Sequence, residues 1–310
     1  MPSPSYENYT LSNTLCPVFV FQTPSRKMAQ QQQQQRFQTA PPAPENIRLT
    51  FPDPAILLVT LDRPKDLNCI SIQMHNDLDA VYKWFDAEPA LRCAILTGAG
   101  RAFCAGADLK EWDTSNQPDA PATVRARTIP LSGFGGLSRR GGKKPVICAV
   151  NGICFGGGCE MIVNADLVVA DRSARFALPE VKIGVIALAG ALTRLVRTVG
   201  KQRAMDMALT GRTLSADEAE RWGLVNKLVP DGSCVDEAIQ MAQLIAKNSP
   251  DSVIVSREGV KLGWEGVGAE EGTRLLAENW YPRIDKGENM REGVRSFVEK
   301  RAPRYVPSKL

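Results

Sequence analysis

From about residue 46 the chain alternates short apolar runs with amphipathic helical stretches, and this alternation constrains the fold more than any other feature. Residues 56–61, 93–97, 145–150 and 167–170 read as strands. Between the first two, Ser71 is placed to cap a helix whose apolar stripe is Ile72, His75, Leu78, Tyr82 and Phe85. Strand–helix alternation of this kind predicts an α/β fold. After about residue 190 the helical signal dominates. Ser215 with Glu218 three residues on, and Gly223 behind, forms a capping box followed by a glycine stop. One more short strand is expected at 225–229, then helices at 235–247, 252–262, 270–279 and 289–299. The expected organisation is an α/β core over 46–235, a helical region over 236–303 and a tail over 304–310.

Residues 1–45 are different in kind. They hold seven prolines, a glutamine run at 30–35 and five charges, Glu7, Arg26, Lys27, Arg36 and Glu45. Such a segment buries too little apolar surface to offset its ordering entropy, so disorder is expected there. The whole 310-residue chain contains one histidine, His75. That excludes multi-histidine metal sites and would force any Ser-His-Asp or Cys-His system through a single imidazole on an apolar helix face, where a structural role is expected. No metal is expected, and carboxylates, backbone amides or a cofactor are left to carry any chemistry. Eight cysteines form no CxxC pair and read as reduced thiols of an intracellular protein. A formal charge of +4 suits an anionic small ligand and, with no basic stripe, argues against nucleic acid. No run is long and apolar enough to predict a membrane span.

Three segments have the makings of a site. Residues 103–109 (FCAGADL) follow a strand and a turn, and small residues around Gly106 let backbone approach a ligand closely. Residues 151–160 (NGICFGGGCE) follow a buried-looking strand. Three glycines opening a helix leave its first amides free for an anion or a developing oxyanion. Glu160, three residues beyond Gly157, falls about one turn along the same face and so beside such an amide. Residues 176–184 (FALPEVKIG) place a second carboxylate, Glu180, after a proline, with a strand between the two glutamates to return the chain to one pocket.

The order and spacing of these segments resemble the crotonase, or enoyl-CoA hydratase/isomerase, family. The resemblance runs over residues 46–303. It includes Arg63-Pro64-Lys65, FCAGADL, NGxxxGGGCE, ALPE and TGRTLSADEAERWGLVNKLVP, and is closest to the hydratases and dehydratases. It implies a spiral of ββα units followed by a helical trimerisation region, assembled as a homotrimer or a dimer of trimers. It also implies a hydro-lyase that needs no cofactor beyond the coenzyme A of its substrate. Ala107 and Gly157 match the oxyanion amides, and Glu160 and Glu180 the two catalytic glutamates, with acid and base unassigned between them. Lys65, Ala105, Asp108, Leu109, Lys110, Phe297 and Lys300 match CoA-binding positions.

One stretch departs from that pattern. Where hydratases usually carry G-x-I-P-G-x-G-G, this chain has residues 184–191 as GVIALAGA, so that Ala187 and Leu188 replace Pro-Gly. Loss of a fixed φ and gain of a side chain are expected to reshape the acyl pocket at Leu188, favouring a branched or hydroxylated acyl group, as in secondary metabolism. The rival readings are a Δ3,Δ2-enoyl-CoA isomerase and a non-catalytic CoA-binding member. Ser308-Lys309-Leu310 ends the chain as a peroxisomal address for the import receptor. It outranks the weak mitochondrial cast that Arg26, Lys27 and Arg36 give the leader.

Overall fold

The structure, a computed structural model, describes residues 36–118 and 129–310. Most of the expected leader therefore lies outside the described residues. The chain runs β1 (Ile47–Asp53), β2 (Ile56–Leu61), α1 (Ile72–Ala87), β3 (Cys93–Gly98), β4 (Ala102–Cys104), α2 (Leu109–Asn116), β5 (Val146–Val150), β6 (Ile153–Phe155), α3 (Gly157–Val163), β7 (Leu167–Asp171) and β8 (Arg175–Ala177). Then come α4 (Ala191–Val199), α5 (Lys201–Thr210), β9 (Leu214–Ser215), α6 (Ala216–Arg221), β10 (Lys227–Val229), α7 (Cys234–Ala246), α8 (Pro250–Trp264), α9 (Ala269–Asn279), α10 (Tyr281–Ile284) and α11 (Glu288–Val298).

The strands divide between two sheets, β1-β2-β3-β5-β7-β10 and β4-β6-β8-β9. Apart from the antiparallel pairs β1–β2 and β8–β9, the ladders are parallel. Each pass of the chain adds one strand to the large sheet and the next, shorter one to the small sheet, as in β3/β4, β5/β6 and β7/β8. This is the α/β spiral that the sequence leads one to expect, with the helices of the C-terminal part following it. Asn151 stands where β5 passes into β6, and its amide donates to the carbonyls of Gly98 (2.8 Å) and Gly100 (2.9 Å), tying one pass of the spiral to the one before.

The inner strands of the large sheet, β2, β3, β5 and β7, are buried on both faces, which explains why they read as apolar runs. Leu57, Val59, Leu61, Ala94, Leu96, Val146, Cys148 and Val150 belong to the same core as α1, whose Met74, Leu78, Tyr82 and Phe85 cover that face. Ile56, Cys93, Ile95, Ile147, Ala149 and Val169 face the other way, into a second core with Cys234, Ala238 and Ala242 of α7. α7, which begins beside the expected boundary of 235, thus packs against the sheet's second face.

Packing also crosses the expected boundary at 45. Phe37 is buried, its ring 4.8 Å from Phe51 and 5.4 Å from Trp84, and Trp84 Nε1 donates to the Thr39 carbonyl (3.1 Å). Residues 36–45 are thus tied to β1 and α1 by an aromatic cluster, worth several kcal/mol in buried area. Helix starts follow their caps: the Ser71 hydroxyl accepts from Met74 N, and Ser215 with Glu218 closes the capping box.

Candidate active site

The three glycine- and carboxylate-bearing segments meet at one cavity of about 1000 Å³, between the small sheet, α1 and the start of α3. Ala107 forms a parallel bridge with Ile70, in which Ile70 N donates to Gly106 O (2.9 Å) and Asp108 N to Ile70 O (3.1 Å). Alternation along an extended backbone then turns the Ala107 N–H away from Ile70, towards the cavity it lines. Gly157 opens α3, so its N–H has no intrahelical acceptor. A Cβ built on Gly106 would lie 3.5 Å from the Gly157 nitrogen, so the two backbone segments are in contact. Gly156, at φ +53°, makes the turn that aims the helix start at this point.

Glu160 projects from α3 into the same cavity and is 4% exposed. Its Oε2 accepts from Ala191 N (3.1 Å) at the start of α4. Burial pushes its pKa up to about 7; the Ala191 and Ala189 amides oppose this, and the charge of Glu180 adds to it. Glu180 is held on the turn of 3₁₀ helix Pro179–Ile183, started by Pro179. Its Oε1 would lie 3.2 Å from a Cβ on Gly156, and its Oε2 is sealed from solvent without a partner. Burial holds this carboxyl above the usual range as well. Two carboxyls that both resist ionisation, beside two free amides, is an arrangement for moving protons at a polarised carbonyl.

Exposed cations stand at the mouth. Lys65, Lys110 and Arg101 line the cavity, and the sequence offered no motif that singled out Arg101. Ala105 and Leu109 line it too. Asp108 also touches the cavity, but its carboxylate is engaged: it caps α2 through Glu111 N and pairs with Arg63 at 2.9 Å. Asp108 is thus brought to the cavity, with its carboxylate already committed to Glu111 N and Arg63. Arg63 also donates to the Cys69 carbonyl (2.9 Å) and to Asp66 (3.1 Å), joining the Lys65 turn to the Ala105–Lys110 loop. Arg63→Ala is therefore expected to raise KM for an acyl-CoA about tenfold with little change in kcat, because it frees both CoA-side loops and leaves the carboxyls untouched. Steady-state kinetics checks the split; an equal fall in kcat would mean that the pair acts on the chemistry.

Two expected CoA residues are not brought to the site. Phe297 is 85% exposed on α11, and neither it nor Lys300 is part of the cavity wall of its own chain. Leu188 is at the cavity, though 78% exposed, while Ala187 behind it is buried. No cluster of three or more metal-ligating side chains occurs among the described residues, and none of their helices is long and apolar enough to cross a membrane. The seven described cysteines are free thiols.

The profile of the enoyl-CoA hydratase/isomerase family matches residues 53–307. The chain belongs to that family. Among curated relatives, a mevalonyl-coenzyme A hydratase of Beauveria bassiana is 55% identical over 88% of this chain and 99% of its own length. Another of Aspergillus fumigatus is 50% identical over 87% and 98%. A crystal structure of an enoyl-CoA hydratase from Bacillus anthracis superimposes with a TM-score of 0.77 at 32% identity, covering 85% of this chain and all of that one. The expectation of an acyl-CoA hydro-lyase of the crotonase family stands.

The peroxisomal expectation does not. The relatives whose names carry a compartment, enoyl-CoA hydratases of Pongo abelii (40% identical) and Dictyostelium discoideum (38%), are mitochondrial. The terminal tripeptide is also docked rather than free: Ser308 Oγ donates to Asp251 (2.5 Å), Lys309 pairs with Glu288, and Lys143 Nζ donates to the Leu310 carbonyl.

Proposed function

We propose that this protein catalyses the reversible hydration of a branched, hydroxylated enoyl-CoA, of the mevalonyl-CoA class for which its fungal relatives are named. The observation that carries the reading is the convergence of Glu160, Glu180 and the Ala107 and Gly157 amides on one cavity. With the thioester oxygen between the two amides, negative charge developing on it is stabilised by about 3 kcal/mol per donor. In hydration, one ionised carboxyl takes a proton from water as the water oxygen bonds C3. The neutral carboxyl gives its proton to C2. Dehydration reverses both transfers, and no group outside the chain and its thioester substrate is needed.

Burial and mutual repulsion favour the required state, one carboxyl charged and one neutral near pH 7, and the pair titrates as a unit. Lys65, Arg101 and Lys110 are placed to meet the CoA phosphates as the thioester enters. Phe297 and Lys300 would reach a CoA only on a neighbouring copy, which accords with a homotrimer or a dimer of trimers.

Decay of the enoyl-thioester ultraviolet band tests the proposal. The expected result is that 5-hydroxy-3-methylpent-2-enoyl-CoA is hydrated with kcat/KM at least about tenfold above that of crotonyl-CoA. Equal values for the two would sink the specialised substrate.

A further inference from the structure

The proton-transfer scheme leaves unused one buried polar group on the cavity wall, the imidazole of His75. It projects from α1, is 3% exposed, and lines the same cavity as Glu160. Its Nδ1 accepts a hydrogen bond from Gly135 N (2.9 Å), and its ring lies edge-on to Phe134 at 4.6 Å. A backbone N–H can only donate, so Nδ1 carries no proton and the neutral ring bears its proton on Nε2. Burial lowers the pKa to about 4, so the ring is neutral at physiological pH.

Nε2 has no hydrogen-bond partner among the described residues. Nor does it belong with Tyr82 Oη, Arg140 Nε and Glu180 Oε2, the side-chain atoms there that are sealed from solvent unpaired. His75 lines the cavity, and with Nδ1 engaged by Gly135 the Nε2–H is the donor the ring has left. Phe134 fixes the depth. Its ring fills the place of the missing Gly157 side chain, so His75 lies one aromatic ring beyond the oxyanion amide. The ring neighbour of His75, Phe134, is apolar, and the buried apolar residues Ile70 and Ala189 line the same cavity. An oriented donor in an apolar end wall is a selector, since an acyl chain without an oxygen leaves it desolvated and unpaired.

We infer that His75 Nε2–H donates a hydrogen bond to an oxygen on the distal part of the acyl chain and selects hydroxylated over hydrocarbon acyl-CoA. The inference rests on the acyl-CoA reading of the cavity and adds the residue that reads the acyl group. His75 is a specificity residue; it takes no part in the proton transfers.

Saturated thioesters test it without turnover. Titration calorimetry of 5-hydroxy-3-methylpentanoyl-CoA against 3-methylpentanoyl-CoA is expected to show about tenfold tighter binding of the hydroxylated compound by the wild type. In His75→Leu and in the ring-shaped His75→Phe the ratio is expected to fall to about one. Loss of the Gly135 partner weakens both ligands alike and cancels in the ratio. Since His75 is the only histidine in the chain, ¹⁵N-histidine labelling gives a single, self-assigned imidazole, so the contact is also read in the unmutated protein. The Nε2–H resonance is expected to move downfield with the hydroxylated thioester and not with the hydrocarbon. A wild type without preference, a preference surviving in the variants, or an unmoved resonance overturns the inference. Failure of the hydratase reading would show separately, as wild-type protein that binds these thioesters and hydrates no enoyl-CoA.

Discussion

Glu160→Gln lowers kcat for hydration by about 10²- to 10⁴-fold and at the same time raises the thermal midpoint at pH 8. The first effect follows from losing one of the two groups that, in the proposed mechanism, exchange protons with water and C2. The second follows from linkage. The folded pKa of about 7 lies above the ordinary carboxylate value of about 4.3 that the unfolded chain restores. Between those values the native state keeps a proton that the unfolded state has released, so stability falls as pH rises through the window. Above pH 7 the ionised carboxylate, buried and facing Glu180, lowers stability by about 3 kcal/mol relative to its neutral form.

A glutamine is neutral throughout, and its carbonyl still accepts from Ala191 N, so the gain appears at pH 8 and shrinks towards pH 5. Thermal unfolding at both pH values and single-substrate kinetics test the pair of effects. A variant destabilised at pH 8 would show Glu160 to be a structural acceptor, and full activity would remove it from the chemistry. The wild-type rate profile should inflect near pH 7, and any residual activity of Glu160→Gln should lack that inflection.

What could be read from the sequence depended on whether local patterning and tertiary geometry agreed. The buried strands of the large sheet, 56–61 and 167–170 among them, announce themselves because a parallel strand covered on both faces is apolar without a break. The capped helices are legible because Ser71 and Ser215 satisfy backbone donors with their own side chains. The three-residue strands β4, β6 and β8 are shorter than any period, so the small sheet is invisible locally, although it holds the site together. β1 escaped notice because its face alternates and Pro52 interrupts it.

The candidate site was legible at Gly157, Glu160 and Glu180, which a glycine-opened helix and two carboxylates single out in the sequence and which all line the one cavity. It was unreadable where a residue acts through a partner far away in sequence. Arg63 joins the Lys65 turn to the Ala105–Lys110 loop through Asp108, 45 residues on, and His75 gains its orientation from Gly135, 60 residues on. A histidine on an apolar stripe reads as structural from the sequence, and only the fold shows that His75 also lines the cavity.

Gly157→Ala is expected to lower kcat by about 10²- to 10³-fold while leaving KM within a few-fold. The added Cβ would fall 2.3–2.5 Å from three atoms of the Phe134 ring, closer than real side chains approach. Phe134 has little room to yield, with its N–H held by Ser138 Oγ (2.7 Å) and its ring against His75. The start of α3 must move instead, and with it the Gly157 amide, whose value depends on its aim; a displacement of about 1 Å suffices for a hundredfold loss. Lys65, Arg101 and Lys110, the proposed CoA-binding cations, lie on other loops and stay in place. Gly141→Ala, where nothing lies within 4 Å of the new Cβ, is the silent control. Phe134→Leu in the Gly157→Ala background makes room for the methyl group and should recover part of the lost rate, a coupling that independent sites would not show. If the double variant is no faster than Gly157→Ala alone, crowding against Phe134 is not the cause of the loss. If Gly157→Ala is itself fully active, the Gly157 amide does not hold the oxyanion.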